Sequence, residues 1–197
     1  MTNLTASSFE HYPLDIELSG GKFELRLMSP DDGTAVLAFA RKLSPHDILY
    51  MRRDITVPAG IDMWLRDLES GRIHSILAWQ GNTVMGYATI NLSDLEWTQH
   101  IADLRVSVAS EARGCGLGRA LAREAFNMAL DLGIEKIFAR MTPDQTAART
   151  LFQELGFEPE ALLRDHVKDR QGQYHDLLMM AFYTESLAKH HSEKSSG

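Results

Sequence analysis

A chain of 197 residues, 44% apolar and 24% charged, suits one globular domain with a proper core. A formal charge of -7 and a pI of about 5.6 speak against general nucleic-acid binding, which relies on Lys and Arg displacing counterions, and suit a cationic partner such as an amine. The longest apolar run, Leu177 to Tyr183, falls far short of the roughly 20 residues that span a bilayer, no secretory leader is visible, and one cysteine allows no intramolecular disulfide; the expectation is a cytoplasmic chain with no membrane partner.

Residues 1–20 are polar and mixed and read as an arm or edge strand, 21–184 as one domain, and 185–197 as a tail. Lys22 to Met28 alternates apolar residues at Phe23, Leu25 and Leu27, as a strand does. Ser29-Pro30-Asp31-Asp32 and Ser44-Pro45-His46-Asp47 each place serine at an N-cap, proline at N1 and an acid near the positive end of a helix, so two helix starts are expected. A third helix is predicted from about Gly60 to Ser70, stopped by Gly71. Ile73 to Gln80, a Gly81-Asn82 turn, Thr83 to Leu92, and His100 to Val108 read as an antiparallel meander. Gly118 to Leu132 is amphipathic, with Leu117, Leu121, Ala125, Met128 and Leu132 on one face. Ile134 to Met141 is β-branched and strand-like. Thr142-Pro143-Asp144-Gln145 has capping-box spacing and opens a helix that carries Ala148, Leu151, Phe152 and Leu155 inward and stops at Gly156. Ala161 to Lys168 and Gln173 to Tyr183 form a hairpin. No internal repeat is present. The order of elements implies a mixed α/β layer with a largely antiparallel sheet.

The stretch from Leu104 to Leu121 carries the chemistry. A strand runs into a glycine-dense turn, and the turn runs into an amphipathic helix. The first turn of a helix offers backbone N–H groups without partners and a positive dipole end, and Gly114, Gly116 and Gly118 let an anion approach the backbone with no Cβ in the way. Arg113 and Arg119 add charge at both ends. The assembly reads as a pyrophosphate cradle. A dinucleotide turn would need a third glycine where Arg119 or Leu121 stands, and the lysine and hydroxyl of a P-loop are missing, so both nucleotide readings fail.

Arg113, Gly116 and Gly118 match R/Q-x-x-G-x-G/A, and the segment resembles the acetyl-coenzyme A signature of the GCN5-related N-acetyltransferase (GNAT) superfamily. Val106-Ser107-Val108 resembles that family's splayed strand, and Gln145 to Phe157 resembles its N-x-x-A-x-x-L-Y-x-x-x-G-F element. The resemblance implies a GNAT-like α/β (mixed α+β) fold, a central, largely antiparallel twisted sheet of about six to seven strands with helices on both faces. It implies that backbone N–H groups of Gly114, Cys115, Gly116, Leu117, Gly118 and Arg119 hold the pyrophosphate of acetyl-CoA. Those of Val106 and Val108 would hold pantetheine and polarise the thioester carbonyl, with Gln145 and Phe152 beside it. The implied reaction is direct attack on the thioester by the primary amine of a small molecule or peptide. A protein lysine as acceptor and a non-catalytic acyl-CoA-binding module are the alternatives.

Two residues depart from the family pattern. Gln145 stands for asparagine, and Phe152 stands for the tyrosine that protonates the departing thiolate in many relatives; phenylalanine has no proton to give. Tyr174 or water are substitutes. Asp103 lies near the register of a general base, with His100 as a second candidate and pairing with Arg105 or another neighbour as the structural alternative. Cys115 reads as a small residue tolerated in the cradle. Asp165-His166 and His175-Asp176 read as polar pairs across the hairpin, and no metal is expected. Trp64, Trp79 and Trp97 read as core or cleft walls. Tyr50, Met51, Arg52 and Arg53 fall where this superfamily covers its acceptor, and the arginines suit either an acidic group of the acceptor or solvent. The partners expected are acetyl-CoA and an amine, with a homodimer left open.

Overall fold

Leu14, Ile16 and Leu18 alternate with two acids, and that two-residue period makes Leu14–Leu18 a half-buried edge strand, β1. The computed structural model describes residues 9–49 and 51–184; the N-terminal part of the expected arm, Tyr50 and the expected tail from 185 lie outside the described residues. Seven further strands follow: β2 (Gly21–Leu27), β3 (Ile73–Gln80), β4 (Thr83–Leu92), β5 (Ile101–Val108), β6 (Lys136–Met141), β7 (Glu158–Lys168) and β8 (Tyr174–Tyr183). They form one sheet in the order β1-β2-β3-β4-β5-β6-β8-β7, antiparallel at every junction except β5 with β6. The sheet is largely antiparallel, as the sequence implies. It has eight strands among the described residues where six to seven were expected, because the segment before Gly20 pairs with β2.

Among the described residues four α-helices cover the sheet on both faces: α1 (Gly33–Ala40), α2 (Pro58–Glu69), α3 (Leu117–Asp131) and α4 (Thr146–Glu154). From α1 and α2, Phe39 and Trp64 meet Tyr87 of β4 edge-on at 5.8 and 4.9 Å, and Trp64 Nε1 donates to Ser75 Oγ at 3.0 Å. On the opposite face α3 buries Leu117, Leu121, Ala125 and Met128. An aromatic cluster of Phe126, Phe152, Phe157 and Phe182 joins α3 and α4 to β8. Between the two layers β4 is buried from Val84 to Asn91. Gly86 is required there: a Cβ would lie 2.9 Å from the Ser107 carbonyl oxygen and 3.0 Å from Leu121 Cδ1, so only glycine lets β5 and α3 approach.

Two helix starts differ from expectation. At Ser44 the capping bonds form: Ser44 N–H and Oγ donate to Asp47 Oδ2 at 3.1 and 2.7 Å, and Asp47 N–H donates to Ser44 Oγ at 3.2 Å. Only turns follow through Leu49, and Arg105 Nη2 donates to the Asp47 carbonyl at 3.3 Å. At Thr142 half of the expected capping box forms, with Thr142 N–H donating to Gln145 Oε1 at 3.3 Å. The Thr142 hydroxyl lies 3.5 Å from His46 Nε2 and bonds the Asp144 carboxylate, and α4 begins only at Thr146. At Ser29 the expectation holds in a shorter form: N–H and Oγ donate to Asp32 Oδ2 at 2.8 and 3.0 Å, and a 3-10 turn over Pro30–Asp32 leads into α1.

Candidate active site

The parallel pair of β5 and β6 is short. Ile101, Ala102 and Asp103 align with Lys136, Ile137 and Phe138, and beyond Asp103 the strands part. The other edge of β5 stays paired to β4 as far as Val108 opposite Gly86. Ala109 N–H donates to Met85 O at 2.8 Å, so by the two-residue alternation of a strand the N–H groups of Val106 and Val108 point the other way, into the gap. That gap is a cavity of about 480 Å³. Val106 and Val108 line one wall, Arg140 and Met141 of β6 another, and Gln145 and Phe152 of α4 a third.

One end of the cavity meets the turn before α3. Gly114 and Gly116 have φ of +77° and +96°, a region open to glycine at little cost. Gly116 is the N-cap of α3 and offers no side chain to it. The first helical bond is Ala120 N–H to Gly116 O at 3.0 Å, which leaves the N–H groups of Leu117, Gly118 and Arg119 directed outward from the helix end. Gly118 lines the cavity in an ordinary helical conformation, and a Cβ there would meet only Val108 Cγ2, at 3.5 Å. The fold itself therefore has room for a side chain at 118. This end suits a pyrophosphate.

The side chains of the turn face other duties. Arg113 lines the cavity, donates from Nε to Val108 O at 3.3 Å and pairs through Nη2 with Asp47 at 2.7 Å. Burial pushes the Asp47 carboxyl up, but bonds from Ser44 and Arg113 outweigh it and hold the group below the ordinary carboxylate range. Cys115 turns toward the β1–β2 turn, where its Cβ would lie 3.0 Å from a Cβ built on Gly20, and its thiol donates to Ala112 O at 3.1 Å. Leu117 is core, and Arg119 pairs with Glu154 of α4.

On the α1/α2 face a second, narrower cavity lies against the first, with Arg105 lining both. Tyr87, Thr89 and Asn91 of β4 and Asp103 and Arg105 of β5 form its floor, and Met51, Arg52, Arg53, Ile55 and Trp64 lie over them. Asp103 does not pair with Arg105. Its carboxylate takes a two-pronged contact from Arg140, Nε at 3.3 Å and Nη2 at 2.8 Å, and its carbonyl accepts from Asn91 Nδ2 at 3.2 Å. Burial pushes the Tyr87 phenol up, with Arg105 partly offsetting it. Tyr174 is 60% exposed at the tip of the β7–β8 hairpin and lines neither cavity. There His175 pairs with Asp169 at 2.9 Å, and Asp165 N–H donates to Asp176 at 2.9 Å.

The sequence reading places the glycine turn and β5 but does not single out Asp47, Arg140 and Asn91. Each is an ordinary polar residue on an element remote in sequence, and no local spacing marks it.

A family profile described as "Acetyltransferase (GNAT) family" matches residues 38–157. The L-amino acid N-acetyltransferase AaaT of Escherichia coli (strain K12) is 28% identical over 121 residues, 60% of this chain and 74% of that one. A ribosomal-protein-alanine N-acetyltransferase from Brucella melitensis superposes with a TM-score of 0.70 at 25% identity, covering 81% of this chain and 99% of that chain. A phosphinothricin acetyltransferase from Sinorhizobium meliloti in complex with acetyl-CoA gives a TM-score of 0.70 at 21% identity, covering 85% and 89%.

Proposed function

Because the chain belongs to the GNAT acetyltransferase family, we propose that it transfers the acetyl group of acetyl-CoA directly to the primary amine of a small molecule. The observation that carries the reading is the parting of β5 from β6, which turns the N–H groups of Val106 and Val108 into a cavity ending at the N-terminus of α3. Acetyl-CoA, when bound, supplies an activated thioester carbonyl. The N–H groups of Gly114 to Arg119 hold its pyrophosphate, with the positive end of α3 behind them. Val106 and Val108 pair along its pantetheine arm, and the N–H near Val108 stabilises negative charge developing on the carbonyl oxygen.

The acceptor enters through the second cavity, whose shared wall at Arg105 brings it to the thioester. Asp103 is the carboxylate that lines this second cavity and takes the amine proton, directly or through water, while Arg140 fixes its orientation. Phe152 lines the cavity at the place of a proton donor, so water protonates the departing thiolate. The narrow acceptor cavity, covered by Met51 to Ile55, favours a small molecule over a protein lysine, and the amino-acid acetyltransferase among the relatives agrees with that reading.

Thermal melting with acetyl-CoA, free CoA, NAD and ATP tests the reading. A ligand at a hundredfold excess over its Kd adds about 2.7 kcal/mol of stability. Both CoA species should raise the melting temperature while NAD and ATP leave it unchanged, and release of CoA thiol should follow addition of amines. The absence of a shift with either CoA species overturns the proposal. A shift without turnover across a broad amine panel favours the non-catalytic binding module that Phe152 also suits.

A further inference from the structure

The second cavity has a charge pattern that bears on what enters it. Three arginines line it, Arg52, Arg53 and Arg105, against one acid, Asp103, which Arg140 already engages from β6. A dicationic acceptor would meet repulsion here, whereas an acceptor that carries an anionic group of its own would not.

Arg53 is the arginine placed to read that group. Its side chain is 11% exposed, Nη2 pairs with Asp67 of α2, and Nη1 is buried with no hydrogen-bond partner among the described residues. Asp67 does not neutralise it alone. The same carboxylate accepts from Arg72 Nε at 3.0 Å, with Asp94 on the far side of Arg72 at 3.9 Å, so Arg53 shares its one acid with a second guanidinium group. Burial pushes the Asp67 carboxyl up, but bonds from Arg72 and Arg53 more than reverse this, and it stays ionised and holds Arg53 in place. A guanidinium N–H without an acceptor is costly, and a carboxylate in the cavity, toward which the Arg53 side chain turns as it binds, satisfies it with a charge-assisted hydrogen bond. Trp64, Ile55 and Ile73 supply an apolar wall beside it.

From this, resting on the acetyl-transfer reading above, we propose that the acceptor is an amino acid or similar amine bearing a carboxylate, and that Arg53 binds the carboxylate and so determines specificity. Arg52 differs in being exposed to solvent. Apolar L-amino acids follow as the preferred acceptors, since Trp64, Ile55 and Ile73 give their side chains an apolar surface.

The test compares matched acceptors on the full chain: L-methionine, L-leucine and L-phenylalanine, each against its carboxamide and its decarboxylated amine. With acetyl-CoA saturating, kcat/KM for the acids should exceed that for both neutral-tailed series by on the order of ten- to a hundredfold, as loss of a charged hydrogen bond requires. In Arg53→Gln the preference should collapse toward unity through a raised acceptor KM, with the acetyl-CoA melting shift intact and Arg53→Lys intermediate. Should Arg53→Gln fail to fold, the wild-type comparison decides alone. Equal rates for acids and amides overturn the proposal and leave acetyl transfer standing, whereas loss of the acetyl-CoA shift in the wild type overturns acetyl transfer itself. If no acceptor turns over, melting of the CoA-saturated protein with the same pairs decides: a shift with acids alone supports the carboxylate site, and equal shifts or none overturn it.

Discussion

Gly118→Ala separates what the fold needs from what the ligand needs. A Cβ at 118 meets only Val108 Cγ2, at the ordinary contact distance of 3.5 Å, and Gly118 lies within α3 with no positive φ to defend. Alanine is the better helix former by up to about 1 kcal/mol, so the free variant should be as stable as the parent or more so. For a domain of this size that gain raises the melting temperature by about 2–4 °C at most. The same methyl projects into the cradle where a pyrophosphate would touch the backbone. A tenfold loss of affinity cuts the stabilisation at a ligand concentration of one hundred wild-type Kd from about 2.7 to about 1.4 kcal/mol. Scanning calorimetry with and without acetyl-CoA reads both numbers, and Gly118→Val should abolish the ligand shift. A free variant that melts lower would refute the vacancy at 118. An undiminished acetyl-CoA shift in both variants would refute the cradle.

Three further outcomes are expected. Gly60→Ala places a Cβ 1.9 Å from the Asp54 carbonyl oxygen and must push residues 54–55 off α2; overpacking of this kind costs about 1–3 kcal/mol, and the acceptor KM should rise because Ile55 lines that cavity. An unchanged melting temperature and KM would show that the 54–55 segment yields freely. Asp47, Asp67 and Asp144 all have carboxyls held below the ordinary value of about 3.9, so as pH falls the unfolded chain takes up protons first. Their stabilisation is present above that value and is lost as pH drops through the depressed folded values; melting followed from pH 7 to 3 should fall steeply only at the acid end, and Asp67→Asn should flatten that fall. Asp103→Asn should lower kcat with the acetyl-CoA shift unaltered, and a preserved kcat would reduce Asp103 to a brace for Arg140.

The strand, glycine turn and helix from Leu104 to Leu121 were legible because they are contiguous. Leu104 to Leu121 holds strand, glycine turn and helix start in one stretch, and each is specified by neighbours: alternation in β5, the glycines whose φ is positive in the turn, apolar spacing in α3. Most strands were legible for the same reason, since a period of two is a local property. The Ser44 start shows where this logic stops. Its capping bonds form as the residues predict, yet the Asp47 carbonyl goes to Arg105 and the Asp47 carboxylate to Arg113, and no helix grows. At Thr142 too the local pattern is only half met, with the hydroxyl between His46 and the Asp144 carboxylate.

Local sequence thus determined most of the secondary elements, the glycine turn and the strand that feeds it. Tertiary structure alone decided that β5 leaves β6 after Asp103, that Asp103 meets Arg140, and that Arg53 shares Asp67 with Arg72 beneath α2. Those pairings join residues on elements that no spacing rule links. Whether a charged side chain on such an element faces water, a partner or a cavity is set by how the layers pack, because only packing fixes which groups lose their water and must find each other.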